Sequence, residues 1–188
     1  MKTGTFGRLN DRTTRTESIM NPQHRSESTA ETEWIEIASQ EDADHLMQVF
    51  GGFRDSCLRE VHAWTDHWVR PDLSIFYPSD LNTRIRVLFQ RQVKSPSAVE
   101  LLFEKVTHVN LAPTPERYYP VIFGARLFME EGILYWANDE DWSPESAAIN
   151  LHTWISARKA RWRDASGWMG EELRYGARED SSGRALKK

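Results

Sequence analysis

A chain of 188 residues, 39% hydrophobic and 11% aromatic, suits one globular domain with enough apolar surface for a sizeable core, and its eight Trp make that core rich in rings. A formal net charge of -4 argues against a dedicated nucleic-acid binder, which concentrates a basic excess on one face. No apolar run is long enough for a membrane span or a secretory signal, and the single Cys57 excludes an intrachain disulfide and a Cys-built zinc cluster, so a reducing cytoplasmic setting is expected.

Residues 1–33 carry ten Ser or Thr, balanced charges and Phe6 as the only aromatic, too little apolar area to offset the entropy of ordering them. They read as a flexible arm, within which Met20 offers an alternative start. Trp34-Ile35-Glu36-Ile37 is a short strand signal. Ser39 then stands as a helix N-cap, with Glu41, Asp42 and Asp44 in the first turns, Leu46, Met47, Val49 and Phe50 at helical spacing, and Gly51-Gly52 as the stop. Asp55 to Trp64 fits neither period cleanly and is assigned to strand, because Leu73 to Pro78 reads as a further short strand across a loop containing Pro71.

Arg84 to Val93 and Ala98 to Val106 are two β-like runs joined by Lys94-Ser95-Pro96-Ser97, an antiparallel hairpin. An even-length loop centred between Ser95 and Pro96 sets Arg91 opposite Glu100, Phe89 opposite Leu102 and Leu88 opposite Phe103. Strands are expected over Val121 to Met129 and Ile133 to Ala137, turning at Glu130-Glu131-Gly132, and again over Thr153 to Arg163. From Gly176 onward a second loose tail is expected. The fold class is therefore α+β: a mainly antiparallel sheet built of hairpins with one or two helices, spanning residues 34–175.

Cys57 and His62 form the obvious thiol and imidazole pair. Their odd separation sends them to opposite faces of a strand, so Cys57 is expected to be a buried structural thiol. His62-Ala63-Trp64-Thr65-Asp66-His67 supplies imidazole and carboxylate but no recognised metal spacing, and Asn138-Asp139-Glu140-Asp141 lacks the alternating ligands and Gly of a calcium loop. No phosphate cradle or nucleophile elbow occurs, and no cofactor or metal is expected. The run Arg158-Lys159-Ala160-Arg161-Trp162-Arg163 interleaves charge and rings as a single-strand nucleic-acid surface does, but alternating strand faces neutralised by nearby acids, the Asp139 to Asp141 loop among them, account for it. Trp142, inside the acidic stretch, could anchor a basic protein partner together with Asp139, Glu140 and Asp141, or pack under its own loop.

The stretches Phe53-Arg54-Asp55-Ser56-Cys57-Leu58-Arg59-Glu60, Arg86-Val87-Leu88-Phe89-Gln90-Arg91-Gln92 with Lys94, Pro96 and Ser97, and Ile133-Leu134-Tyr135-Trp136-Ala137 resemble a group of small uncharacterised bacterial β-rich proteins. The resemblance covers about residues 53–163 and implies a bacterial cytosolic setting without transferring a catalytic residue. More distantly, small bacterial α+β proteins of this kind look like immunity proteins of toxin systems, an analogy of fold class alone. The expectation is a non-enzymatic protein-binding domain. The alternative is a small hydrolase or metal-dependent enzyme using Cys57, His62 or the acidic loop. An exposed aromatic patch would favour the first, and a concave pocket where those groups converge would favour the second.

Overall fold

The computed structural model describes residues 33–149 and 151–176. The expected N-terminal arm up to residue 32 and the tail from residue 177 lie outside the described residues. The chain runs through β1 (Ile35–Ile37), α1 (Gln40–Val49), β2 (Ser56–Trp64), β3 (Trp68–Val69), β4 (Ile75–Phe76), β5 (Arg84–Arg91), β6 (Ala98–Asn110), β7 (Arg126–Glu130), β8 (Ile133–Ala137) and β9 (Trp154–Asp164). β3 and β4 pair as a separate two-stranded ribbon. The other seven strands form one antiparallel sheet in the order β2-β5-β6-β9-β8-β7, with β1 also paired to β9. This is the α+β architecture that the pattern of short strands and one helix predicts.

The helix begins where its chemistry says it should. The Ser39 hydroxyl accepts the Asp42 amide at 3.2 Å while the Asp42 carboxylate accepts the Ser39 amide at 2.9 Å, a reciprocal cap. Ala43, Leu46 and Phe50 are buried against the sheet. Gly51 and Gly52, at φ 60° and 63°, end it in a conformation that only glycine adopts without strain. At the β7 to β8 turn, Glu131 and Gly132 take φ 49° and 75°, the paired positive values of the tight turn whose twist matches a hairpin.

The sheet curls towards closure. Ile122, just upstream of β7, bridges back to Ser56 at the start of β2, donating its amide to the Ser56 carbonyl at 2.7 Å and accepting the Asp55 amide at 3.1 Å. Inside the curl, Val87, Phe89, Val99, Leu101, Phe103 and Trp136 form the core with the helix, and Phe53 meets Phe89 and Trp136 edge to face at 4.9 and 5.8 Å. Residues 121–125 bend to make the bridge, so β7 starts at Arg126, later than the expected strand from Val121.

The hairpin register departs from expectation. Leu88 pairs with Glu100, Phe89 with Val99 and Gln90 with Ala98, so the loop consumes seven residues from Arg91 to Ser97. That three-residue slip, being odd, exchanges the faces: Arg91 and Glu100 point to opposite sides of the sheet and do not pair. Both runs carry apolar residues at odd and even positions, so pattern alone could not choose. The loop closes around Arg91, whose Nε donates to the Pro96 carbonyl at 2.7 Å and whose guanidinium lies 4.6 Å from the centre of the Phe50 ring.

The outer face of β5, β6 and β9 is also covered. Leu88, Ala98 and Ala165 cluster there under Trp168 and Tyr175. Residues 165–175 form a strap held by the Glu60 carboxylate, which accepts the amides of Arg174 and Tyr175 at 2.9 and 3.1 Å, and by Gln90, which donates to the Trp168 carbonyl at 2.6 Å. Under the strap Glu100 is fully buried and accepts the Arg163 Nε at 2.6 Å. Within the basic run, Arg163 and Arg161 pair with Glu100 and Glu104 of β6, the latter 3.5 Å away, and Asp80 attracts Arg158, while the ion pairs of the acidic Asp139 to Asp141 loop run to His152 and Arg54 instead.

Candidate functional site: a cavity at the seam of the sheet

A cavity of about 460 Å³ opens where the curled sheet fails to close. Leu58 and Val61 of β2 line one wall. The opposite wall is the segment leaving β6, Leu111-Ala-Pro-Thr-Pro, with Tyr118, Tyr119 and Ile122 further along it. Trp136 and Asn138 at the end of β8, with Thr153 before β9, complete the lining. A size of this order, apolar walls and a few polar groups are the usual make-up of a ligand site, and the mouth of a curled sheet is a usual place for one.

The wall is stitched in place. Asn138 accepts the Thr153 amide on Oδ1 at 3.0 Å, its own amide donates to the Thr153 carbonyl at 3.0 Å, and the Thr153 hydroxyl accepts the Ala112 amide at 3.0 Å while donating to the Ala112 carbonyl at 3.2 Å. Trp136 differs. Its indole is fully buried and its Nε1–H has no hydrogen-bond partner among the described residues. A buried donor left unpaired costs roughly 1–3 kcal/mol.

Around the mouth, apolar side chains stand in solvent: Tyr119 is 83% and Phe123 75% exposed, and Tyr118 and Leu151 are exposed as well. The acidic loop borders this rim. Asn138 lines the cavity, Glu140 lies against Gly124 next to Phe123, and Glu140 pairs with Arg54 across the surface at 2.9 Å. Asp139 is half-buried with its carboxylate 3.7 Å from His152, and Asp141 is exposed.

Trp142 is not part of that exposed surface. At 2% exposure it packs on Trp154, Tyr135 and Phe128 with ring centres 4.9, 6.0 and 6.4 Å away, so the reading of Trp142 as an exposed anchor is corrected to packing under its own loop. The physical reason is that Phe128 and Tyr135 already stack across β7 and β8, and a third indole completes an apolar cluster that water would otherwise wet.

Cys57 and His62 are placed differently from expectation too. Arg59 is an extra residue between the pairs Leu58 with Phe89 and Glu60 with Leu88, and this bulge reverses the alternation, so Cys57, opposite Gln90, and His62, opposite Arg86, share the outer face. Four residues of β5 separate their partners, roughly 13 Å along the strand, and neither lines the cavity. Cys57 is half-buried where full burial was expected. Among the described residues no group of three or more His, Cys, Asp or Glu converges as a metal site requires. No described helix is long and apolar enough to cross a membrane.

Sequence reading missed the cavity because its walls come from four distant stretches. The one local signal was Leu111 to Val121, a loop with Pro113, Pro115 and Pro120 around adjacent Tyr118 and Tyr119, aromatic residues in a segment that pairs with no strand. No family model matches this sequence, and no curated protein or solved structure matches it either.

Proposed function

We propose that the chain is a protein-binding domain whose contact surface is the aromatic rim of the cavity together with the flanking acidic loop. The observation that carries this reading is the exposure of Tyr118, Tyr119 and Phe123 along one short segment at the cavity, with the acidic loop reaching that segment where Glu140 lies against Gly124. Exposed rings in a cluster are costly unless covered, and they supply large contact area for little lost side-chain freedom. The carboxylates add steering towards a basic partner and discrimination against acidic ones. A bacterial, cytoplasmic, immunity-like role, in which the partner is a toxin, is the narrower form of the proposal and rests on the resemblance given above.

The test is affinity capture by the full chain followed by measurement of binding to the captured, purified partner, with Phe123→Ser, Tyr119→Ser and Asp141→Lys in parallel. Each rim substitution is expected to weaken binding at least tenfold, about 1.4 kcal/mol, because truncating a central aromatic contact typically costs that or more. Asp141→Lys is expected to slow association and to blunt its dependence on salt. Equal affinity for wild type and all three variants would place the contact surface elsewhere. For the narrower role, co-expression with the product of an adjacent toxin-like gene should restore growth, and toxicity undiminished by the wild-type chain counts against it.

A further inference from the structure

β2 keeps one edge unpaired. Arg91 donates its amide to the Ser97 carbonyl on the β6 side, and backbone direction alternates along a strand, so Phe89, Val87 and Ile85 also turn towards β6 and away from β2. Their partners across the β2 to β5 ladder, Ser56, Leu58, Val61 and Ala63, therefore aim their own amides and carbonyls at the opposite edge, towards the seam. The Ser56 carbonyl meets the Ile122 amide there, but Leu58, Val61 and Ala63 have no backbone partner on that side among the described residues. The opposite wall explains why. An antiparallel continuation from Ile122 would set Pro120 opposite Leu58, and Pro120 has no N–H to give, so the segment bows away and the cavity opens behind it. The edge along β7 is met instead, Ala125 donating to the Gly52 carbonyl and the Met129 amide to the Gln40 side chain.

An open strand edge is complementary to another extended backbone. Leu58 and Val61 pack on the core and also line the cavity, so a strand laid antiparallel on this edge sends every second side chain, those of the residues whose amides face β2, to the same face and into the cavity. The lining includes no Asp, Glu, Lys, Arg or His, which selects uncharged residues there. The acidic loop reaches the Ser56 end of the seam, where Glu140 lies against Gly124 and pairs with Arg54. In an antiparallel strand that end is C-terminal, so a basic residue belongs after the apolar ones. We infer that the protein partner presents an extended segment that adds antiparallel to β2 across the seam, with uncharged side chains filling the cavity and a basic residue following them. This rests on the protein-binding reading above and names the part of the partner that is bound.

The probe is the peptide acetyl-Thr-Val-Thr-Val-Thr-Lys-amide, added to the full, nitrogen-labelled chain. It is expected to bind saturably with a Kd below about 1 mM. At free peptide about ten times that Kd, amide exchange at Leu58, Val61 and Ala63 should slow about tenfold. N-methylating both Val residues, which removes the amides aimed at β2, should weaken binding by about tenfold or more, while N-methylating the two Thr residues that precede them should change it by less than about twofold. Moving the Lys to the N-terminal end should weaken binding severalfold. Ala63→Pro, at an exposed edge position where proline is tolerated, should weaken it as well in a protein that still unfolds cooperatively. The inference is overturned if the peptide does not bind up to about 1 mM, if the two N-methylated forms or the two Lys positions bind equally, or if protection falls on other strands, results that need no variant to fold. Undiminished binding to Ala63→Pro overturns it too. The peptide assay needs no captured partner, so the two readings fail separately: rim substitutions that weaken capture, beside a β2 edge that the peptide leaves unprotected, overturn this inference and leave the rim as contact surface, whereas protection of β2 with capture unaffected by those substitutions refutes the rim and supports the strand addition.

Discussion

Glu100 is the most exacting place to test how the outer face of the sheet is held. Its carboxylate is completely buried, hydrogen-bonded to Arg163 at 2.6 Å and 3.8 Å from Arg86, and the Arg163 side chain is itself only 10% exposed. Arg163 is further sandwiched between Trp34 and Trp168, with its guanidinium carbon 4.6 and 4.8 Å from the two ring centres. Replacing Glu100 with Leu removes the close counter-charge that Arg163 has among the described residues and leaves it buried, a change that costs about 3–5 kcal/mol in comparable sites. The indole sandwich survives the substitution and retains a cation–π attraction of roughly 0.5–2 kcal/mol, so the low end, about 3 kcal/mol, is expected. In a domain of this size that lowers the melting temperature by about 10 °C. Glu100→Leu combined with Arg163→Met should recover most of the loss, because the pair's attraction largely repays its own desolvation and no charge is then stranded. The assay is urea unfolding of wild type, both single variants and the double variant, comparing midpoints at unchanged slope. A cost below about 1 kcal/mol for Glu100→Leu, or a double variant no more stable than that single one, refutes the reasoning.

Three further outcomes follow from particular groups. Burial holds Tyr175 well above the ordinary phenol range, with the negative charge of Glu100 adding to it, and burial likewise raises Tyr135, so both stay protonated where the unfolded chain has already lost those protons. Their contribution is therefore fully present below the reference value of 10.0 and is lost as pH rises above it, so urea midpoints should fall between about pH 10 and 11, less steeply in Tyr175→Phe. On the acid side the Ser39 hydroxyl, with the Ala38 amide, holds Asp42 below the reference 3.8, so its stabilisation is present above that value and is lost as pH falls beneath it. Asp42→Asn should flatten that acid limb, and Ser39→Ala should cost about 1 kcal/mol at neutral pH through the lost cap. Cys57, half-buried on the outer face, should react with a thiol probe more slowly than a free thiol in neutral buffer, and labelling faster than the free thiol would show an activating environment.

The sequence by itself determined the elements whose signals are local. Ser39, Asp42 and Gly51-Gly52 mark both ends of α1, Glu131-Gly132 marks the β7 to β8 turn, and the alternation of Ala160 and Trp162 with Arg161 and Arg163 separates the two faces of β9, because caps, tight turns and pleats are decided by residues within a few positions of one another. Tertiary structure decided everything that depends on long-range pairing. The β5 to β6 register needed the Arg91 loop and the core to select one parity from two apolar runs, and a single extra residue, Arg59, put Cys57 and His62 on the same face against their odd spacing. Trp142 was legible as a large ring in an acidic stretch, but whether it faced solvent depended on Trp154, Tyr135 and Phe128 arriving from other strands. The cavity exists only because β2, the Leu111 to Ile122 segment and the end of β8 meet at a seam the sheet leaves open, a juxtaposition set by the curvature of the whole sheet and written in no single stretch of residues.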